Sequence, residues 1–314
     1  MRCLVSIIWL LQLIASSTFG QVSKTDSSRI NKFEKKYRTL KDSILLHPLI
    51  PTVSPIIINY RELEIITASS LTSTTRYFDG DGNKIDLMLR QTAFYNTLQL
   101  TYGLSRDTTL NVGIDVNTVF ARLDQNASSS PFDVFSLNSY GNTREAKAVT
   151  SLVPRIRWLP FKKNKNFTIQ NSFGLPMALS SASKNVLGTG QFYFLTQFLY
   201  NEPLSKRFFL FGQLGFEYLF KRDDAHSSIY CPEAVYLSYL ATKKIIFFAL
   251  GDYIPVFTKE NKWTYNRHVT QAGGGVQYQL SNILLVNGLY AVNLTGENYP
   301  AGNNFNFSLR ILIK

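Results

Sequence analysis

From Leu98 to Arg122 the chain alternates apolar and polar residues along two arms joined by one short turn, a pattern open to few folds. The first arm sets Leu98, Leu100 and Tyr102 against Thr97, Gln99 and Thr101. The second sets Leu110, Val112, Ile114 and Val116 against Asn111, Gly113, Asp115 and Asn117. A period of two means strands with one apolar and one polar face. Strands of soluble sandwiches usually run only about 5–6 residues, and these arms are longer. Their polar face carries Asn, Gln, Thr, Asp and Gly, which suits a wet lumen. The pattern predicts an all-β fold, a transmembrane up-and-down antiparallel β-barrel whose tilted strands span with about 9–11 residues.

The plan repeats to the C-terminus. Alternation and turn residues divide the chain after Asn59 into about twelve strands, taken in pairs. The pairs are Asn59–Phe78 with Ile85–Leu104, Thr109–Leu123 with Arg144–Leu159, and Phe167–Leu179 with Gln191–Asn201. Then come Phe208–Lys221 with Tyr230–Ala241, Lys244–Thr258 with Thr264–Gln279, and Ile283–Leu294 with Asn304–Lys314. Tight turns such as Ser105–Thr108 and Thr242–Lys243 alternate with longer connections rich in Asp, Asn, Gly and Ser. An even strand count with short turns on one rim and long loops on the other is the bacterial outer-membrane pattern, the short turns being periplasmic. Two stretches fit poorly. Ile245-Ile-Phe-Phe248 is an unbroken apolar run that predicts a bulge, and Gly273-Gly-Gly275 predicts a bend.

The start of the chain is different. Arg2, the apolar run from Leu4 to Ala15 and the small residues before Gln21 read as a secretory signal peptide over 1–20. Residues 21–58 form a basic periplasmic segment. Within it Ile30, Phe33, Tyr37, Leu40 and Ile44 recur at helical spacing, an amphipathic helix pattern able to meet a membrane, a barrel interior or a periplasmic partner. Pro48, Pro51 and Pro55 then lead into the barrel, residues 59–314. Cys3 falls in the leader, so the mature chain keeps Cys231 as its one cysteine and no disulfide framework is expected.

Charge and parity together mark the interior. The net charge of +12 invites a nucleic-acid reading, but no helix-turn-helix, zinc finger or RNA-binding motif is present to use it. Anionic lipid and lipopolysaccharide are the expected partners of that charge, beside a small-molecule solute. Lumen-lining positions predicted by parity are Glu62, Glu64, Gln99, Asp115, Lys147, Arg155, Arg157, Gln213, Glu217, Gln277 and Arg310. Both signs occur among them, so ion pairs should cross and narrow the lumen. Lipid-facing rows include Phe192, Phe194 and Phe198, and Phe305, Phe307, Leu309, Ile311 and Ile313.

Motifs for chemistry are weak. Asp79-Gly-Asp-Gly-Asn83 starts like a calcium loop, but Lys84 and Arg90 occupy the positions where Gly and the bidentate Glu belong. It reads as a glycine-rich hairpin. His226-x-Ser228 matches the pair used by outer-membrane lipid hydrolases, although Ile229 follows where such an enzyme has Asn. His47, His226 and His268 are scattered, so no metal, cofactor or catalytic set is expected, and the chain reads as a non-enzyme.

The run Tyr102-Gly-Leu-Ser-Arg-Asp-Thr-Thr-Leu-Asn-Val-Gly113 and the segment Arg155-x-Arg-Trp-Leu-Pro160 resemble Gram-negative outer-membrane channel barrels of the phenol-degradation transporter type. The resemblance covers Asn59 to Lys314. It implies a narrow passive channel or transporter for small solutes, hydrophobic and aromatic ones included. The hydrolase is one alternative. An accessory barrel that binds a periplasmic partner through its N-terminal segment is another. One departure is the ending Leu309-Arg-Ile-Leu-Ile-Lys314, which lacks the usual final aromatic.

Overall fold

The computed structural model describes residues 56–314, except 137–143, 163, 180–186, 188–189 and 223–225. The expected leader and amphipathic segment therefore lie outside the described residues. The strands are β1 (Leu63–Phe78), β2 (Lys84–Gly103), β3 (Leu110–Asp124), β4 (Arg144–Trp158), β5 (Phe167–Pro176), β6 (Tyr193–Pro203) and β7 (Phe208–Leu219). They continue as β8 (Ser227–Tyr230), β9 (Glu233–Leu240), β10 (Ile245–Lys259), β11 (Trp263–Gln279), β12 (Leu284–Glu297), β13 (Tyr299–Pro300) and β14 (Asn303–Ile313). Neighbours along the chain pair antiparallel, and β14 returns to β1 from Ile313 opposite Leu63 to Asn303 opposite Ser73, closing the sheet. Closure leaves no unpaired edge for lipid to meet.

β8 and β9 are one stave. Leu214 opposite Glu233 and Glu217 opposite Tyr230 keep a single register across Cys231-Pro232, where the ladder breaks because proline has no N–H to give. β13 is a two-residue pairing against the end of β1. The barrel therefore has twelve staves.

Alternation sorts the two faces. Leu98, Leu100 and Tyr102 of β2 stand opposite Val116, Ile114 and Val112 of β3, and between them Gln99 stands opposite Asp115. Leu98, Tyr102 and Ile114 are exposed, whereas Gln99, Thr101 and Asp115 are buried. β14 repeats this with Phe305, Phe307 and Ile313 outside and Ser308 and Arg310 inside. A soluble barrel would show the reverse. An apolar belt around a closed polar interior needs a bilayer to cover it. Exposed Trp158, Tyr102 and Tyr278 lie near the rim that carries the tight turns. Trp263, packed 6.1 Å from Tyr218, lies with Phe220 near the loop rim. Two aromatic girdles at the water interfaces follow from that spacing.

Both irregular stretches resolve without breaking a strand. In β10, Ile246 and Phe248 point inward while Ile245 and Phe247 point outward, so the apolar run alternates after all. The interior is apolar along this part of the wall, with Leu199, Phe211, Tyr236, Phe248, Leu250, Leu289 and Ala291 in one buried cluster. A bulge does occur in β10 pairing, later, between Val256 and Phe257. The glycine run stays paired on both sides within β11. A Cβ on Gly275 would fall 2.6 Å from the Phe248 ring, so the missing side chain makes room for that phenyl group inside the wall.

Candidate functional site

The interior near the turn rim is a charged layer built by β14 and β1 to β5. Glu64 on β1 and Arg310 on β14 are fully buried neighbours, with Arg310 Nε donating to Glu64 Oε1 at 2.6 Å. Arg155 donates from Nε to Asp115 Oδ1 at 2.7 Å and from Nη2 to Thr101 Oγ1 at 2.6 Å. Arg157 holds Gln170 Oε1 through Nε and Nη2 at 2.9 and 2.7 Å, and reaches the Ile56 carbonyl with Nη1 at 3.1 Å. Gln170 in turn donates to Gln197 at 2.9 Å. Alternation places these groups on inward rows, and burial without partners would cost several kcal/mol per ion. Glu62 accepts the Asn59 amide at 2.9 Å. Glu62, Glu64 and Asp115 therefore face Arg155, Arg157 and Arg310 in equal number.

The segment Ile56–Glu62 lies against this layer. Ile58 is buried, and at Gly103 an added Cβ would come 1.8 Å from the Asn59 carbonyl oxygen. Only glycine lets the segment approach the end of β2 so closely. Gly103→Ala should destabilise the barrel by about 1–3 kcal/mol through overpacking. The urea midpoint of the detergent-solubilised protein measures it; an unchanged midpoint would place the segment elsewhere.

The remaining predicted lumen residues divide. Gln99 and Gln277 are buried on inward rows, and Gln213 and Glu217 are half-buried on the inward row of β7. Lys147 faces the other way. Thr150 is an extra residue in β4, since Asn117 pairs with Ser151 and Thr118 with Val149. Past that bulge the parity of β4 inverts. Lys147 then pairs opposite outward-facing Phe120, lies 5.8 Å over its ring, and meets Glu145 at 2.5 Å. A short 3-10 turn, Pro131–Phe135, folds over this outer patch, with Phe135 packing 4.8 Å from Phe94.

Inside the wall lies a cavity of about 450 Å³, which the sequence pattern did not single out. Ser70, Tyr95, Asp252, Gln271, Asn293 and Asn306 are among its lining residues, and most of the lining strand residues come from inward rows. Tyr236, Leu250, Leu289 and Ala291 give it an apolar side shared with the buried cluster. Residues 70, 95, 252 and 293 are far apart in sequence, so only barrel closure brings them together.

Neither chemical motif forms a reactive site. In the Asp79–Asn83 turn, Asp79 Oδ1 accepts the Asp81 and Asn83 amides at 2.9 and 2.8 Å, and Gly82 takes φ +81°. The Asn83 amide foremost, with those of Asp81 and Gly82, holds the Asp79 carboxyl below its ordinary pKa. Asp79 thus serves the turn. Ser228 Oγ lies 3.4 Å from Thr258 Oγ1, and no hydrogen bond joins it to His226 among the described residues. No cluster of three metal-ligating side chains occurs among the described residues either.

No protein-family model matches the chain. No curated protein matches it. Solved structures do. The crystal structure of an outer membrane channel from Pseudomonas putida F1 superimposes with a TM-score of 0.63, covering 85% of this chain and 100% of that one at 12% identity. The fold is that of an outer-membrane β-barrel. The β domain of the Bordetella autotransporter BrkA is similar as well, with a TM-score of 0.51, 11% identity, and coverage of 80% of this chain and 99% of that domain. At such identities the likeness concerns the barrel and no individual side chain. The girdles, closure and polar interior of this outer-membrane barrel agree with a place in the bacterial outer membrane.

Proposed function

We propose that this outer-membrane barrel is a narrow passive channel, or transporter, for small solutes and has no catalytic role. The cavity inside the wall carries that reading: a space of about 450 Å³ lined from inward rows is where a solute crossing the barrel would rest. Beyond it the charged layer of Glu62, Glu64, Asp115, Arg155, Arg157 and Arg310 narrows the way toward the turn rim, which is the periplasmic rim in barrels of this type. Paired charges can exchange partners with a passing polar group, and with both signs matched they impose little net charge on it. Outside, the apolar rows meet lipid. Lys147, on the outer face of β4, is the group proposed to meet lipopolysaccharide phosphates.

Proteoliposome swelling tests the proposal. Small solutes such as glycine and glycerol should enter, with rates falling steeply as solute size rises, because a twelve-stranded barrel encloses far less space than a 16-stranded porin. Swelling no faster than in protein-free vesicles, for every solute tried, would contradict it.

A further inference from the structure

We propose that the cavity inside the barrel is a binding site for an organic ammonium ion that carries an apolar or aromatic group. The proposal deepens the channel reading and rests on it, since it names the class of solute that would pause there.

Of the residues lining the cavity, two carry a buried side-chain atom with no partner, and both atoms are acceptors: Asp252 Oδ1 and Asn293 Oδ1. The Asn293 amide cannot be turned around, because its Nδ2 donates at 2.8 Å to the Pro300 carbonyl, which can only accept. A ligand that brings donors suits this wall better than one that brings acceptors. Among the described residues, Asp252 is the one carboxylic acid of the lining, and no Lys, Arg or His lines the cavity. The unbalanced charge is negative, so a cationic donor is favoured over a neutral one. An ammonium group has three N–H donors and no acceptor, so it can donate to the Asp252 carboxyl without bringing an acceptor of its own.

The rest of the lining fits the remainder of such a molecule. Tyr95, Tyr236 and Tyr299 supply aromatic surface, which attracts a cation and packs against a ring. Leu250, Leu289 and Ala291 supply an aliphatic side. A volume of about 450 Å³ falls within the usual range for small-molecule sites, about 300–1,000 Å³. An organic carboxylate would instead set its charge against Asp252 and leave both acceptors unmet.

Titration calorimetry of the detergent-refolded full chain with phenethylammonium, 3-phenylpropionate and 2-phenylethanol tests the assignment. Phenethylammonium should bind, 3-phenylpropionate should not, and 2-phenylethanol should bind roughly tenfold or more weakly than the ammonium. Asp252→Asn keeps the shape and should weaken phenethylammonium by roughly tenfold or more while leaving 2-phenylethanol nearly unchanged. Asn293→Ala probes the second acceptor and should weaken the ammonium as well. Equal binding of carboxylate and ammonium, or an Asp252→Asn variant that binds phenethylammonium as the parent does, would overturn the assignment. Swelling by small neutral solutes in the same preparation reports on the channel separately. Normal swelling without ammonium preference would remove this inference alone, whereas absent swelling would remove the channel reading.

Discussion

Glu64→Ala should destabilise the barrel by about 3–5 kcal/mol, because it strands Arg310 as an uncompensated buried charge. Arg310 is 1% exposed; its Nε donates to Glu64 Oε1 at 2.6 Å, and its Nη2 lies 2.5 Å from the same oxygen as an ion-pair contact. Arg310→Ala should cost as much for the converse reason. Replacing the pair together, as Glu64→Leu with Arg310→Met, should recover most of the loss, since an apolar pair of similar volume carries no desolvation penalty. Urea unfolding in detergent micelles, read by loss of heat-modifiable gel migration, gives the three values. If the double substitution is as damaging as either single one, the pair does not act as a unit.

The second large effect tests the outer wall. Ile114→Arg puts a guanidinium on a row that is 40% exposed and faces lipid, and near the bilayer midplane it should cost about 2–4 kcal/mol. Asn117→Arg, three residues on, enters an inward row where Asn117 bonds Thr97 and Ser151 at 2.8 and 2.9 Å. Its cost should stay near the loss of those neutral bonds, about 0.5–1.5 kcal/mol each. A shift of one residue in register would exchange the two results, so the contrast also measures the register of β3.

The outer wall was the part most readable from sequence. Its rows are built by local alternation, and Leu98 to Val116 carry that signal in neighbouring residues, as does the run from Phe305 to Ile313. Strand count and strand ends follow, because turn chemistry is local too. Parity reading failed at Lys147 for a local reason of another kind: one extra residue, Thr150, inverts every side chain beyond it. Nothing in the composition of Ala146 to Thr150 marks the bulge. The apolar interior behind β10 was also hidden. Ile245-Ile-Phe-Phe248 looks irregular when the inside is taken as polar, and ordinary once Phe248 is seen to lie over Gly275. Partners across the lumen were least readable. Glu64 and Arg310 are 246 residues apart, and the cavity draws on most staves, so neither exists before the sheet closes. Glycine at 103 could be noticed, but its reason lies in the approach of Asn59, which no sequence period encodes.

Single-channel recording in a planar bilayer tests the central claim most directly. The full chain should give small, discrete current steps with weak ion selectivity, because three carboxylates and three guanidiniums balance in the narrow layer. Arg155→Ala with Arg157→Ala should enlarge the steps and shift the reversal potential toward cations at low salt. The shift should fade at 1 M, where the Debye length is about 3 Å. Silent bilayers with both proteins, or steps whose size and reversal potential ignore the two substitutions, would contradict a conducting path through this lumen.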